Sequence, residues 1–250
     1  MRYMLLALLS VSLLGACSPR QSGDPSTLTI FAASSLTEGF AALVTEFEAA
    51  NPDIDVVLVL SGSQVLRLQL EQGAHADLFV SADRDHISAL QAEGLVGDSR
   101  IIAYNALTII TPRDNPAGIR SVDDLQKARR LVVGNDNVPI GRYTQRWLEQ
   151  RSPDFARRVG ARVVSRESNV RLVRAKVALG EADAAVVYHS DALRLDTIRE
   201  VRIPDADNVR ASYHLGLLGD SEAARRFVKH VLSDAGQRTL QQTGFLPVRP

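Results

Sequence analysis

Short apolar runs alternate with amphipathic stretches along most of the chain, beginning at Leu28. The runs are rich in β-branched and aliphatic residues, as is typical of buried strands, and the stretches between them show helical spacing. In 36–50, for example, apolar residues recur at i, i+3, i+4 and i+7: Phe40, Leu43, Val44 and Phe47. This spacing turns one helix face towards a sheet. The alternation predicts an α/β fold of mainly parallel sheets flanked by helices.

The same pattern gives approximate bounds for each element. We expect strands at 28–32, 56–60, 77–81, 106–111, 131–134, 161–164, 184–188 and 214–218. We expect helices at 36–50, 64–72, 86–92, 122–127, 142–150, 170–179 and 221–232.

Two breaks in the pattern indicate how the chain divides into lobes. The first is at 102–107, after a loop-like VGDSR, and the second is the polar segment 204–213. If the chain leaves one lobe at the first break and returns at the second, 27–104 and 213–250 form lobe 1, and 105–212 forms lobe 2. The two crossings would then act as a double hinge.

The composition narrows the class of protein. The chain has 250 residues, 45% of them hydrophobic, and a formal net charge of +0, so it can bury a core in one large or two small domains. The only lysines are Lys127, Lys176 and Lys229, and the arginines are interspersed with acidic residues. We therefore expect no nucleic-acid-binding surface.

The N-terminus carries the features of an export signal. Arg2 is followed by an apolar run from Met4 to Leu14 and by small residues that end at the only cysteine, Cys17. The run is too short for an ordinary membrane span and predicts a signal peptide over 1–16. Residues 14–17, LGAC, resemble a bacterial lipobox, so we expect a lipidated Cys17 with a tether over 17–26. The alternative is a soluble periplasmic product cleaved nearby. Both interpretations place the protein in the periplasm.

Four predicted helix starts carry hydroxyl, glycine or proline residues directly after a strand or loop. They are Ser34-Ser35, the SGSQ of 61–64, the VPIG of 138–141 and the ESNV of 167–170. A helix N-terminus exposes unpaired N–H groups and the positive end of the helix dipole. Several that converge can hold an anion without a metal or a cationic side chain. In open α/β sheets such starts lie at the carboxyl ends of strands, where ligands bind.

Helix capping alone explains the same residues. Ser35 to Glu38 and Ser61 to Gln64 each fit a capping box. Pro139 and Ser168 are explained if each simply starts a helix. The two interpretations are compatible, because a hydroxyl that accepts from a backbone N–H still has its own proton to donate.

Catalytic motifs are absent from the sequence. No pair of histidines has metal-ligand spacing, and there is no G-x-S-x-G elbow, Walker loop or G-x-G-x-x-G. His189, beside Tyr188, could be a general base, but a histidine at a strand end is more often a polar terminus. We therefore expect neither an enzyme nor a cofactor.

Five blocks in sequence order resemble the molybdate-binding (ModA-type) receptors of ABC importers. They are FAASSLTEGF, SGSQVLRLQLEQGAHADLFVSAD, VPIGRYT, GEADAAVVYHSDA and AGQRTLQQTGF. The resemblance covers nearly the whole chain after the tether. It implies a type II, two-lobed periplasmic-binding-protein fold that closes on molybdate or tungstate and passes the ion to a membrane permease. It also implies a monomer.

The resemblance also implies which residues hold the anion. They are the hydroxyls of Ser35, Ser63 and Tyr188 and the backbone N–H groups of Ile140 and Val170, with no cationic side chain. Many relatives have a small residue where Ile140 stands, so we expect its larger side chain to alter the cavity wall.

Several alternatives remain at this point. The protein could be a receptor for another oxyanion, such as sulfate or phosphate, on the same fold. It could also be a cytosolic effector-sensing domain of a regulator, although the export signal and the lack of a DNA-binding helix pair argue against that. Arg142 and Arg171 directly follow two expected donors. We interpret them as part of a solvated helix face rather than as groups that draw anions towards the cleft.

Overall fold

The computed structural model describes residues 26–193 and 195–248. The predicted signal peptide, Cys17 and nearly all of the tether lie outside these residues. The strands are β1 Ser26–Ala33, β2 Ile54–Ser61, β3 Leu78–Ser81, β4 Ser99–Pro112, β5 Leu131–Gly134, β6 Val163–Glu167, β7 Ala184–Tyr188, β8 Ile198–Arg202 and β9 Arg210–Leu217. The helices are α1 Thr37–Ala50, α2 Ser63–Glu71, α3 Arg84–Ala92, α4 Pro139–Glu149, α5 Pro153–Gly160, α6 Val170–Ala178, α7 His189–Ala192, α8 Glu222–Val231 and α9 Asp234–Gln242.

The strands form two sheets that share one long strand, β4. The first sheet has the order β2-β1-β3-β9-β4, and the second continues through β4-β7-β5-β6, with β8 paired to the other edge of β4. Residues 99–106 of β4 pair with β9, and residues 107–112 pair with β7 and β8. The pairs β2-β1-β3 and β7-β5-β6 are parallel, and β9 and β4 join them in antiparallel orientation. The expected α/β architecture is therefore present, with mixed sheets.

Helices cover both faces of the first sheet, so β1 is buried on both sides. Leu28 and Ile30 belong to the main core, and α1 covers this side with Phe40, Leu43 and Phe47. Phe31 points to the opposite face and packs in a second cluster with residues of α2 and α3. This burial explains why the strand is a nearly continuous apolar run, as expected for parallel strands between two helix layers.

The structure corrects several expected elements. The interruption expected at 102–107 lies within β4, which continues through it with one register shift between Ile101 and Ala103. The helix expected at 122–127 is a 3-10 helix, Val122–Lys127. The sequence pattern missed β8, α5, α7 and α9. In α5 only Phe155 and Val159 are buried, which is too short an apolar stripe to show a clear period. No helix within the described ranges has the length and apolar character that a membrane span requires.

Candidate functional site

One small cavity lies where helix starts from both sheets approach each other. It is lined by Ala33, Ser34, Ser35, Ser61, Gly62, Ser63, Ala82, Val138, Pro139, Ile140, Asn169, Val170 and Tyr188. All five residues that the sequence predicts to hold an anion are in this lining. The cavity volume is about 10 Å³, which is about the room that one water molecule needs. A small inorganic ion therefore suits the cavity better than a sugar or an amino acid does.

Ser35 faces the cavity from the 3-10 turn Ser34–Leu36, between β1 and α1. Its side chain does not cap α1, because the N-cap residue is Leu36 and no side chain makes the cap hydrogen bond. The capping box predicted from Ser35 and Glu38 is therefore wrong. Ser35 Oγ instead accepts a hydrogen bond from the Tyr213 hydroxyl at 2.9 Å.

Ser63 is the first residue of α2 and is 1% exposed. Its Oγ accepts from the backbone N–H of Ala82 at 3.1 Å. The capping box predicted over Ser61 to Gln64 is also wrong. The N-cap is Gly62, and the Gln64 amide donates to the Ser168 carbonyl at 2.6 Å. Since both serine oxygens accept from protein donors, their own protons are left for a group in the cavity.

Tyr188 closes β7 and presents its hydroxyl to the cavity. The hydroxyl oxygen is buried and has no hydrogen-bond partner among the described residues. Burial, and then the neighbouring Tyr213, raise the pKa of Tyr188 well above its usual value of 10. The group therefore remains an O–H donor at any physiological pH. A buried donor without a partner is costly, so Tyr188 indicates a site for an acceptor.

Ile140 and Val170 lie in the first turns of α4 and α6. Pro139 opens α4 as predicted, and α6 is capped by the Asn169 side chain, which accepts from the Leu172 N–H at 3.0 Å. The N–H groups of a first helical turn have no intrahelical acceptor, so those of Ile140 and Val170 can serve a ligand. The Ile140 side chain packs against Gly134, where a Cβ would lie 2.8 Å from its Cγ2.

Arg142 and Arg171 lie at the rim of the cavity and do not line it. Arg142 Nε donates to Asp83 Oδ2 at 3.1 Å. Arg171 Nε donates to the Ser34 carbonyl at 2.9 Å, and its Nη1 donates to Glu38 Oε1 at 2.7 Å. The interpretation of a solvated helix face is wrong for both arginines, because each connects a helix of the second sheet to an element of the first. Burial by itself raises the pKa of Glu38. The hydrogen bond and the charge of Arg171 together lower this pKa by more, so it lies below its usual value.

Sequence reasoning missed two groups behind this lining. Tyr213, in β9, donates to Ser35, and Asp191 is fully buried with Oδ1 3.5 Å from Arg171 Nε. Burial raises the pKa of Asp191 to about 7, although Arg171 and Arg174 act to lower it. Tyr213 is a strand residue outside the five family blocks, and Asp191 lies within one of them, in the first turn of α7. The resemblance assigns neither residue to the anion, so only their position in the fold reveals their contacts.

His189 lies away from the cavity. Its Nδ1 contacts Glu200 Oε1 at 2.6 Å, in a separate hollow that is lined by residues of β4 and β8. Within the part of the chain that the structure describes, no group of three or more His, Cys, Asp or Glu side chains could hold a metal ion. The described residues that line the cavity are all uncharged, so the donors that it presents come from neutral groups.

Comparison with known proteins identifies the family. The sequence model of one protein family, the bacterial extracellular solute-binding proteins, matches residues 28–246 of this chain. The chain belongs to this family. Like its other members, it is a binding protein of a transport system and not an enzyme. A molybdate-binding protein ModA of Mycobacterium bovis is 37% identical over 225 residues, which is 88% of this chain and 84% of that protein. The resemblance to ModA-type receptors is therefore confirmed.

Two solved structures establish the fold. The periplasmic molybdate-binding protein of Azotobacter vinelandii superposes with a TM-score of 0.76 at 17% identity, covering 88% of this chain and 98% of that one. The sulfate-binding protein SubI of Mycobacterium tuberculosis superposes with a TM-score of 0.82 at 19% identity, covering 90% and 88%. The two-lobed type II periplasmic-binding-protein fold is therefore confirmed. One of these proteins is named for binding molybdate and the other for binding sulfate, so the fold alone does not determine which anion is bound.

Proposed function

We propose that the protein is an extracytoplasmic receptor that captures molybdate between its two lobes and delivers it to the permease of an ABC transporter. The observation that carries this proposal is the set of donors around one small cavity: the hydroxyls of Ser35, Ser63 and Tyr188 and the first-turn N–H groups of Ile140 and Val170. None of the described residues in the lining is charged. The 37% identity to a mycobacterial molybdate-binding protein supports the choice of ion.

A lining of donors suits a dianion that carries no proton. Molybdate is fully deprotonated at neutral pH, so every oxygen can accept. A phosphate that keeps a proton would place a donor against a donor and leave both unpaired. Sulfate has the same charge and shape but shorter bonds, so its rejection depends on cavity size. Tungstate is nearly isosteric with molybdate, and we expect it to bind comparably.

The proposed lobes follow the sequence prediction, with 27–104 and 213–250 in one and 105–212 in the other. The sharing of β4 between the two sheets, and its pairing with β9, support a double-strand hinge. We also propose that the protein is a monomer anchored by a lipid on Cys17. The LGAC of 14–17 supports this anchor. A receptor held at the membrane would stay close to its permease.

Thermal unfolding of the purified protein with molybdate, tungstate, sulfate or phosphate at equal micromolar concentrations tests the proposal. We expect molybdate and tungstate to raise the melting temperature, because a ligand that binds only the folded state stabilises it. Sulfate and phosphate should leave it unchanged. A larger shift with sulfate would favour a second candidate, a sulfate receptor on the same fold.

A further inference from the structure

We infer that Tyr213 is a positioning residue that turns the Ser35 O–H into the cavity. The inference rests on the proposed function, because it specifies how one of the proposed anion donors is held. Neither Tyr213 nor Asn105 lines the cavity, and both are fully buried.

The contact between Tyr213 and Ser35 controls where the serine proton points. Tyr213 Oη lies 2.9 Å from Ser35 Oγ and donates to it. A hydroxyl cannot donate along the line on which it accepts, so the Ser35 proton is directed away from Tyr213. Ser35 is 3% exposed and lines the cavity, so the cavity is the open side left to that proton.

The surroundings of Tyr213 agree with this direction of its hydrogen bond. Asn105 Oδ1 accepts from the backbone N–H of Ala106 at 3.0 Å, so the other amide atom is the nitrogen, which donates to Ser190 Oγ at 2.9 Å. The Asn105 side chain acts to lower the pKa of Tyr213, as a donor that faces the phenol oxygen does. A phenol that gives its single proton to Ser35 leaves its oxygen to accept from such a donor.

The supporting residues are held by the two strands that cross between the sheets. Tyr213 in β9 is paired with Ala103 in β4, and Asn105 in β4 is paired with Ala211 in β9. Backbone pairing of this kind fixes the side chains more firmly than a loop would. Burial raises the pKa of Tyr213 well above its usual value, which keeps it protonated as a donor.

A double-mutant cycle measured by titration calorimetry with molybdate tests the inference. We expect Ser35→Ala and Tyr213→Phe each to weaken binding, by about tenfold for Tyr213→Phe. If Tyr213 acts through Ser35, adding Tyr213→Phe to Ser35→Ala should cause no further loss. A tyrosine with only a structural role would cause the same loss in both backgrounds.

Tyr143→Phe is the matched control. It removes a hydroxyl from the same group of rings, 6.3 Å from the Tyr188 ring, but its oxygen accepts from the Ser212 N–H and the residue does not line the cavity. We expect unchanged molybdate affinity. If Tyr213→Phe does not fold, Tyr213→Met takes its place in the cycle, because it also lacks the hydroxyl and its flexible side chain can fill the space of the ring.

The outcomes separate the inference from the proposed function. If Ser35→Ala weakens binding but Tyr213→Phe has no effect, or has the same effect in both backgrounds, the inference is wrong and the proposed function stands. If the unmodified protein does not bind molybdate, or if Ser35→Ala binds it equally well, the proposed function or its ligand set fails, and the inference fails with it.

Discussion

Among the described residues, the lining of the cavity contains no charged side chain, whereas its rim contains two ion pairs. In the lining, the polar groups are hydroxyls and first-turn N–H groups, and no described residue there is charged. At the rim, Arg142 and Arg171 are each paired with a carboxylate from the opposite sheet. A cation beside the anion would attract any dianion, whereas fixed neutral donors select by direction and distance. Under the proposed function, the lining recognises the ion and the rim holds the two lobes together.

In the proposed division into lobes, the rim pairs exist only while the two lobes are close. Asp83 and Glu38 belong to elements of the first sheet, and Arg142 and Arg171 to α4 and α6 of the second. A closed state is favoured by the contacts that it adds over the open state, so these ion pairs count towards closure. The Arg171–Glu38 pair is partly exposed and therefore contributes little by itself, whereas the Asp83 carboxyl of the other pair is buried. The four predictions below compare the two regions, from the largest expected effect to the smallest.

The largest effect is expected at Gly62, where the two walls of the cavity approach each other. A Cβ on Gly62 would lie 2.5 Å from the Ser168 carbonyl oxygen on the other wall. Its φ of −63° is compatible with any residue, and the Gln64 side chain, 2.7 Å from the added Cβ, is flexible enough to move away, so alanine mainly strains the closed arrangement. We expect Gly62→Ala to weaken molybdate binding about 100-fold, or about 3 kcal/mol. The melting temperature without the ion should not change.

Gly97→Ala is the matched control for Gly62→Ala, because nothing lies within 4 Å of its added Cβ. Titration calorimetry of both variants gives the comparison. Tight molybdate binding by Gly62→Ala would show that the walls do not approach this closely in the bound protein, and that closure depends on the rim alone.

The next largest effect is expected from one neutral donor in the lining. Ser63→Ala removes a hydroxyl whose oxygen accepts from Ala82 and whose proton is left for the anion. We expect molybdate binding to weaken by roughly 1 to 3 kcal/mol, the contribution of a hydrogen bond to a charged group. Ser34→Ala is the control, since Ser34 also lines the cavity but is not a predicted ligand. Equal losses of molybdate affinity in Ser63→Ala and Ser34→Ala, measured by calorimetry, would contradict the prediction that Ser63 binds the anion and Ser34 does not.

Local sequence signals predicted the positions of the donors but not their partners. The helix starts could be found because capping and proline preferences act within a few residues. The choice of Tyr188 came from the family resemblance alone. The partner of Ser35 is 178 residues away, and that of Ser63 is 19 residues away, so a local capping box could not represent either hydrogen bond.

The ion pairs of the rim could not be predicted either, because their partners are also far apart in the sequence. Arg171 and Glu38 are 133 residues apart and Arg142 and Asp83 are 59 apart, and a charged residue at a helix surface is usually solvated. The missed strand β8, IREVR, has only two apolar residues, Ile198 and Val201, and they are three positions apart, so it lacks the alternation that marks a half-buried strand. The sequence thus predicts the architecture of this protein better than its long-range contacts.

The third prediction concerns Asp191, the buried carboxyl behind the rim, whose pKa is raised to about 7. Because the folded protein holds this proton more tightly than the unfolded chain does, stability falls as the pH rises from about 4 to about 7 and is level above that. We expect the free energy of unfolding of the anion-free protein to fall by about 1 kcal/mol between pH 6 and 8 on this account. Asp191→Asn does not titrate and should lose this component.

Urea unfolding of both proteins at pH 6, 7 and 8 measures the difference. The pKa values of His86 and His214 are lowered by burial, which makes stability rise with pH up to their unfolded-state pKa. Both histidines are present in both proteins, so the difference between the two profiles isolates Asp191. Parallel profiles would show that Asp191 is ionised throughout this range.

The smallest effect is expected from the rim itself. Arg171→Gln removes the contacts to Glu38 and to the Ser34 carbonyl. We expect molybdate binding to weaken only about two- to fivefold, the contribution of a partly exposed ion pair to closure. Arg166→Gln, which breaks an exposed pair with Asp136 away from the cavity, is the control and should bind normally. Calorimetry at 0.15 M salt compares them. A loss as large as that of Ser63→Ala would mean that the guanidinium contacts the anion, and the distinction between a neutral lining and a charged rim would then be wrong.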